Sequence, residues 1–165
     1  MRVVDVMIRD PICCTESCTV ETVAHLLKQA GCGVVPVLNQ SSQQVVGVVT
    51  ERSVCVEVVA LRRNPATVPA GECMARAPAV CRPEDDAYAV LAAFSQSTAR
   101  GVVVINDKGE LEGILQLSVL ASRAATAAQE LYAALQKVNG ENASASKAES
   151  TPSRRRAKRS SVASA

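Results

Sequence analysis

Apolar and polar positions follow one order along this chain, and that order is written twice. The first copy opens with Val6-Met7-Ile8-Arg9-Asp10-Pro11, after which Ile12-Cys13-Cys14-Thr15 reads as a short strand. Val20, Val23, Ala24, Leu27 and Ala30 then recur at helical spacing, with Thr19 placed to cap the helix and Gly31 to end it. The β-branched run Val34 to Leu38 predicts a buried strand, the polar stretch Asn39 to Gln44 a turn, and Val45 to Thr50 the second strand of a hairpin. Helical spacing resumes from Glu51 through Val54, Val58 and Leu61. A connector containing Pro65 and Pro69 leads to the second copy, which opens with Cys73-Met74-Ala75-Arg76-Ala77-Pro78. A short strand near Ala79-Val80-Cys81 follows. Pro83-Glu84-Asp85-Asp86 then opens a helix whose apolar face is Val90, Leu91 and Phe94, and two strands flank the turn Asp107-Lys108-Gly109. The final helix starts near Leu117, and its alanines and leucines predict that it runs to Val138.

Two copies are too few for a solenoid and predict one pseudo-symmetric unit in which each copy buries the other's apolar face. The bounds are 1–62 for repeat one, 63–70 for the linker, 71–125 for repeat two, 126–138 for a helical extension and 139–165 for the tail. The tail is rich in Ser, Ala and charge, lacks an apolar period, and is predicted to be disordered.

Composition narrows the function. Of the 165 residues 48% are hydrophobic but only 2% aromatic, so Val, Leu, Ile, Ala and Met must fill the core. With so few rings, stacking surfaces for single-stranded nucleic acid are nearly absent. The net charge of +2 is concentrated after Asn139, where six Lys/Arg face two Glu, and the folded body has no basic bias for nucleic acid. No segment reads as a membrane span. Met1 is followed almost at once by the first repeat, which predicts no export or organelle address. Seven cysteines, an odd number without a Cys-x-x-Cys pair, predict buried thiols in a reducing compartment, the cytoplasm. The run Arg154-Arg155-Arg156-Ala157-Lys158-Arg159 reads as a solvated end, with a nuclear import signal or a basophilic kinase site at Ser160 or Ser161 as the sharper alternatives.

The opening Val6-Met7-x-Arg9-Asp10-Pro11, the strand Gly33-Val34-Val35-Pro36-Val37 and the block Gly47-Val48-Val49-Thr50-Glu51-Arg52 resemble a CBS (cystathionine-β-synthase) domain. The second copy resembles it more weakly, and the pair looks like a Bateman module over roughly residues 1 to 125. The resemblance implies an α/β pseudo-two-fold CBS pair: two β-α-β-β-α repeats with packed three-stranded sheets, here followed by the long C-terminal helix and the tail. It implies a non-catalytic regulatory module, a homodimer, and an unknown protein partner under its control. It also implies clefts that take an adenosine ligand, namely AMP, ADP, ATP or S-adenosylmethionine, with no cofactor required.

The family's cleft pattern is a Gly, two apolar residues, Thr or Ser, two variable residues and Asp. The resemblance assigns the glycine to close approach of the ligand, the hydroxyl and helix start to phosphate, and the Asp to ribose hydroxyls. Site one is Gly47-Val48-Val49-Thr50-Glu51-Arg52-Ser53, with Ser53 at the Asp position. Losing that charge-assisted hydrogen bond costs about 1.5–3 kcal/mol, roughly tenfold to a hundredfold in affinity. By resemblance, Ile12 and Cys13 lie beside adenine, and Gly33, Val34, Val35 and Pro36 form the cleft wall. Thr50 faces phosphate or ribose, and Ser53 makes a weak ribose contact. Site two places Gln116 and Val119 where Thr and Asp belong and is expected not to bind. If both clefts are filled by side chains, the alternative is a ligand-free, oligomerising interaction element. Plain core is the competing reading for Val35, and an edge or strand end for Pro36.

No catalytic constellation accompanies the pattern. His25 is the only histidine and lies within a helical pattern without a nucleophile beside it. Cys14, Cys18 and His25 are too loosely spaced for a zinc set. Cys13 and Cys14 are neighbours on a strand, so they point to opposite faces and one of them belongs to the core.

Overall fold

Local signals build the first helix as the spacing predicts. The structure, a computed structural model, describes residues 1–31, 33–91, 94 and 100–148. Helix α1 (Val20–Ala30) begins where Thr19 Oγ1 accepts the Thr22 N–H at 3.3 Å. It ends where Gly31, at φ 64°, turns the chain and donates its N–H to the Leu27 carbonyl. A left-handed residue here costs glycine nothing. Val20, Val23 and Leu27 form its buried stripe.

Strand β1 (Ile8–Arg9) precedes β2 (Cys14–Thr15), and β3 (Val34–Leu38) and β4 (Val45–Thr50) make the first hairpin. Asn39 ties that turn by accepting the N–H groups of Ser41 and Ser42. Helix α2 (Glu51–Val54) runs into a wider helical stretch at Cys55–Val59, closed by the Ala60 N–H on the Cys55 carbonyl. A short α3 (Ala70–Cys73) leads to β5 (Val80–Cys81), the hairpin β6 (Gly101–Ile105) and β7 (Leu111–Gln116), and helix α4 (Leu117–Ala148). The helix predicted to open at Pro83 does not start there: residues 83–90 run as turns, because their backbone pairs with the N-terminal segment, Val3 and Val4 donating to the Asp85 and Pro83 carbonyls and Ala87 to that of Met1. Helical backbone is described only at Leu91 and Phe94, with 92–93 and 95–99 outside the described residues, and Val90 and Phe94 of the predicted apolar face are buried in the second core.

The pleat divides the valines among three layers. Val35, Val37 and Val49 pack with Val20, Val23 and Leu27 in one core. Val102, Val104 and Leu115 pack with Val3, Val6 and Leu120 in a second. The alternate positions Val34, Val48, Val103 and Ile114 meet between the two sheets. Each central strand is thus buried on both faces, which is why β3 and β6 read as continuous apolar runs rather than alternating ones.

The sheets are not both three-stranded. Sheet one has the order β2-β3-β4, but sheet two has four strands, β1-β7-β6-β5. The extra strand is the opening segment of repeat one: Ile8 pairs with Ile114 and Arg9 with Gly113. The preceding residues follow it, with the N–H groups of Val3 and Val4 on the carbonyls of Asp85 and Pro83. Repeat two returns the exchange. Ala70 and Gly71 donate to the carbonyls of Cys18 and Glu16, and Ala75 and Val48 bond each other in both directions. Ala70, Cys73 and Met74 are buried in the core of repeat one.

Pro36 sits in the central strand β3, not at an edge or strand end. It lies opposite Val48, whose N–H and C=O both point away to Ala75, so β4 loses no ladder bond to the proline. On its other side β2 pairs only with Val37 and Leu38, one step further along.

Helix α4 continues beyond Val138 to Ala148, because Glu141, Ala143, Ala145, Lys147 and Ala148 sustain helical propensity past Gly140. The chain divides into two units, Met1–Ala124 and Ala125–Ala165. The basic run and its serines, Ser160 and Ser161, lie outside the described residues, as does Cys32.

The exchange depends on two glycines. A Cβ on Gly47 would lie 2.8 Å from the Ala75 carbonyl oxygen, and one on Gly113 would lie 2.7 Å from that of Ile8. Gly47→Ala and Gly113→Ala are each expected to lower unfolding free energy by about 1–3 kcal/mol in urea titrations. Gly71→Ala, where the nearest contact would be 3.3 Å, should cost less than either.

Candidate functional site

The junction of β4 and α2 carries the motif picked out in the sequence, and its polar groups are turned on each other. Thr50 is the cap of α2, its side chain accepting the Ser53 N–H at 3.1 Å. Ser53 Oγ accepts the Thr50 N–H at 2.9 Å and donates to the Thr50 carbonyl at 2.9 Å. The Thr50 hydroxyl donates to Ser53 Oγ at 3.4 Å. Thr50 is only 8% exposed, so this reciprocal box satisfies its polar atoms without water or ligand. The glycine ahead of it, Gly47, approaches Met74 and Ala75, and its missing side chain makes room for repeat two.

The other predicted residues separate. Val34 lies in the seam between the sheets, and Val35 in the core against α1. Pro36 is buried, Ile12 half-buried and Cys13 exposed. Gly33, at φ 69°, is the one member of the predicted set that lines the larger of two clefts.

That cleft has a volume of about 510 Å³ and is lined by Gly31, Gly33 and Glu51 from repeat one and by Arg100, Gln116, Leu117, Ser118 and Ala121 from repeat two. It lies where the two repeats start their second helices, since Glu51 opens α2 and Leu117 opens α4. The Leu117 N–H donates to the Arg100 carbonyl at 3.2 Å, which fixes the backbone of Arg100 at the head of α4. Ser118 Oγ lies 3.5 Å from Gln116 Oε1. Glu51 and Arg100 went unnoticed as cleft residues in the sequence. The signal was their position: Glu51 follows the motif Thr, and Arg100 precedes Gly101, the counterpart of Gly33. Gln116 was recognised only as a replacement.

A second cleft, of about 330 Å³, is lined by Asp10, Pro11, Cys13, Leu38, Gln43, Glu110 and Leu111. It therefore holds Cys13 apart from Gly33 and the larger cleft.

Four thiols, Cys13, Cys14, Cys73 and Cys81, are held toward their neutral form. Burial, followed by the nearby Cys18, pushes the Cys14 thiol up to about 12, and burial, followed by Asp85, does the same for Cys81. Burial also raises Cys73, and even Cys13, with Cys18 adding to the rise. Cys14 is the core member of the Cys13–Cys14 pair. A raised pKa is the opposite of what an activated thiol needs. His25 is exposed on α1. Among the described residues no three His, Cys, Asp or Glu side chains are grouped to hold a metal, and no helix is long and apolar enough to cross a membrane.

A family model described as CBS domain matches residues 3–60 and 70–122. No curated protein matches the chain. Among solved structures, a CBS domain protein from Pyrobaculum aerophilum complexed with AMP is 26% identical, with a TM-score of 0.66, over 73% of this chain and 90% of that one. A conserved CBS domain protein of unknown function from Thermoplasma acidophilum is 22% identical, with a TM-score of 0.67, over 74% of this chain and 68% of that one. A CBS domain pair in complex with 5′-methylthioadenosine and S-adenosyl-L-methionine is 19% identical, with a TM-score of 0.66, over 76% of this chain and 97% of that one.

Removing either hydroxyl of the Thr50–Ser53 box should destabilise the fold by about 1 kcal/mol, and the double variant should cost less than the sum. Urea unfolding of Thr50→Ala, Ser53→Ala and the pair measures this. The thiols predict the alkaline limb of stability. Cys14 and Cys81 stay protonated in the fold up to about 12, whereas a free thiol ionises near 9.0. Their stabilisation is therefore complete below pH 9 and is lost as pH rises through that window. Melting temperature against pH should fall there, and less steeply in Cys14→Ala.

Proposed function

We propose, given that the chain belongs to the CBS-domain family, that it is a non-catalytic regulatory module which binds an adenosine ligand in the 510 Å³ cleft and thereby controls a partner protein. The observation that carries this reading is the cleft itself. Its volume falls within the range of small-molecule sites. It offers a guanidinium from Arg100 and the N-terminus of the 32-residue α4 for an anionic group, with Gln116 and Ser118 as neutral hydrogen-bonding partners. Solved CBS proteins holding AMP or S-adenosylmethionine on the same fold support the ligand class. The reading differs from the motif-based one in which residues do the work, because Thr50 and Ser53 are engaged with each other.

A second reading has its own support. The closed Thr50–Ser53 box and the glycines filled by methionines suit a ligand-free module that acts by association. Self-association of a homodimer through α4 belongs to either reading, since Ala121, Ala125 and Ala128 are exposed on it. Cytoplasmic residence is part of both, in keeping with six described cysteines that are all free.

A thermal-shift panel with AMP, ADP, ATP and S-adenosylmethionine separates the two. A ligand at a hundredfold its Kd stabilises the fold by about 2.7 kcal/mol. A clear rise for an adenosine ligand, reduced in Arg100→Ala, is the expected result; no rise at millimolar concentration favours the ligand-free reading. Sedimentation equilibrium tests the dimer: charged substitutions at Ala124 and Ala128 should lower the solution mass, and an unchanged mass removes that face from the interface.

A further inference from the structure

The larger cleft holds one carboxylate and one guanidinium, and they come from different repeats. Glu51 stands at the first position of α2, with its Oε2 3.8 Å from where a side chain on Gly33 would begin. Arg100 stands just ahead of β6, in the other half of the lining. The duplication does not repeat either charge: the counterpart of Glu51 is Leu117, and the residue before Gly33 is Cys32. Both side chains are exposed, and they do not pair with each other. Among the described residues neither has another side-chain partner. Repeat one therefore presents a negative wall and repeat two a positive one, with no net charge between them.

Such a cleft treats ligands of the same shape differently according to where their charge lies. A polyphosphate brings several negative charges to one guanidinium and meets a carboxylate on the opposite wall. A ligand with a cationic centre and a carboxylate places one charge against each wall. Resting on the adenosine reading above, we infer that Glu51 is the charge-selecting residue of the cleft: together with Arg100 it favours an adenosine ligand with a sulfonium and an amino-acid end, net positive but with one carboxylate, over an adenosine polyphosphate. Glu51 also suits the first turn of a helix, where a carboxylate is favourable in its own right. That ordinary role predicts a change in stability with no change in ligand preference, and so it is separable.

Titration calorimetry of the full chain with S-adenosylmethionine, uncharged 5′-methylthioadenosine, AMP and ATP tests the inference, on the wild type, Glu51→Gln and Arg100→Gln. Both variants alter exposed side chains, and circular dichroism checks that they fold. The wild type is expected to bind S-adenosylmethionine more tightly than ATP. Glu51→Gln should narrow that preference by about fivefold, the scale of one exposed charge interaction, and the change should shrink as salt rises. Arg100→Gln should weaken AMP and ATP while leaving 5′-methylthioadenosine unchanged. If ATP binds the wild type as tightly as S-adenosylmethionine, or if Glu51→Gln leaves the ratio unchanged, the inference is overturned while the adenosine reading stands. If no adenosine ligand binds the wild type or either variant, both fall together.

Discussion

The structure depends on an exchange of backbone between its two halves. Met7-Ile8 lies against Gly113, and Met74-Ala75 lies against Gly47, each at a distance that admits no side chain on the glycine. Hydrogen bonds fix the same contacts, through the β1–β7 pairing on one side and the Val48–Ala75 bridge on the other. Because the opening segment of each copy completes the core of the other, neither hydrophobic core is made of one copy alone. The cleft between the repeats inherits its position from this arrangement, as the exchange holds the two hairpins together and thereby brings Glu51 and Arg100 into one lining.

Small β-branched side chains make that exchange affordable in space. With one phenylalanine, two tyrosines and no tryptophan, the sheets come together on a thin layer of Val34, Val48, Val103 and Ile114. The seam is close enough that a Cβ on Gly101 would lie 2.7 Å from Val34 Cγ1. Larger residues would hold the sheets further apart, and the hairpin tips, joined by the Gln44 side chain on the Lys108 carbonyl and by the Val45 N–H on that of Gly109, would no longer meet. Packing in the middle layer and hydrogen bonding at its edge are in this sense one constraint.

What could be read from the sequence was what is decided within a few residues. Thr19 and Gly31 bound α1 by local capping, and Asn39 and the Asp107–Gly109 turn set the two hairpins, so these elements were legible. The duplicated order identified the fold, and the family match agrees with it. Features set by distant partners were not legible. A two-residue strand such as Ile8–Arg9 has no periodicity of its own, and only Gly113 and Ile114 give it a place in sheet two. Pro36 was unreadable for the same reason, because its tolerance depends on where β2 starts and where Val48 points. At the site, the motif correctly marked the helix junction, but the roles it implies assume free hydroxyls. Thr50 and Ser53 spend theirs locally, and of the charges that line the cleft Glu51 comes from a position the pattern leaves variable and Arg100 from outside the pattern.

The exchanged segments also impose an order on synthesis. Val3 to Arg9 leave the ribosome early, yet the partners that bury and pair them, from Arg82 to Gln116, are made long afterwards. Repeat one can close as soon as Ala70 to Ala75 emerge, whereas repeat two must wait for a strand made before it and held unpaired in the meantime. The first and last parts of the sheet-forming chain are therefore joined in a late, non-local step, the kind that slows folding and leaves an apolar edge exposed while it is pending. A chaperone acting on this protein would find its work there, at an unpaired Ile8 edge, rather than in the first hairpin.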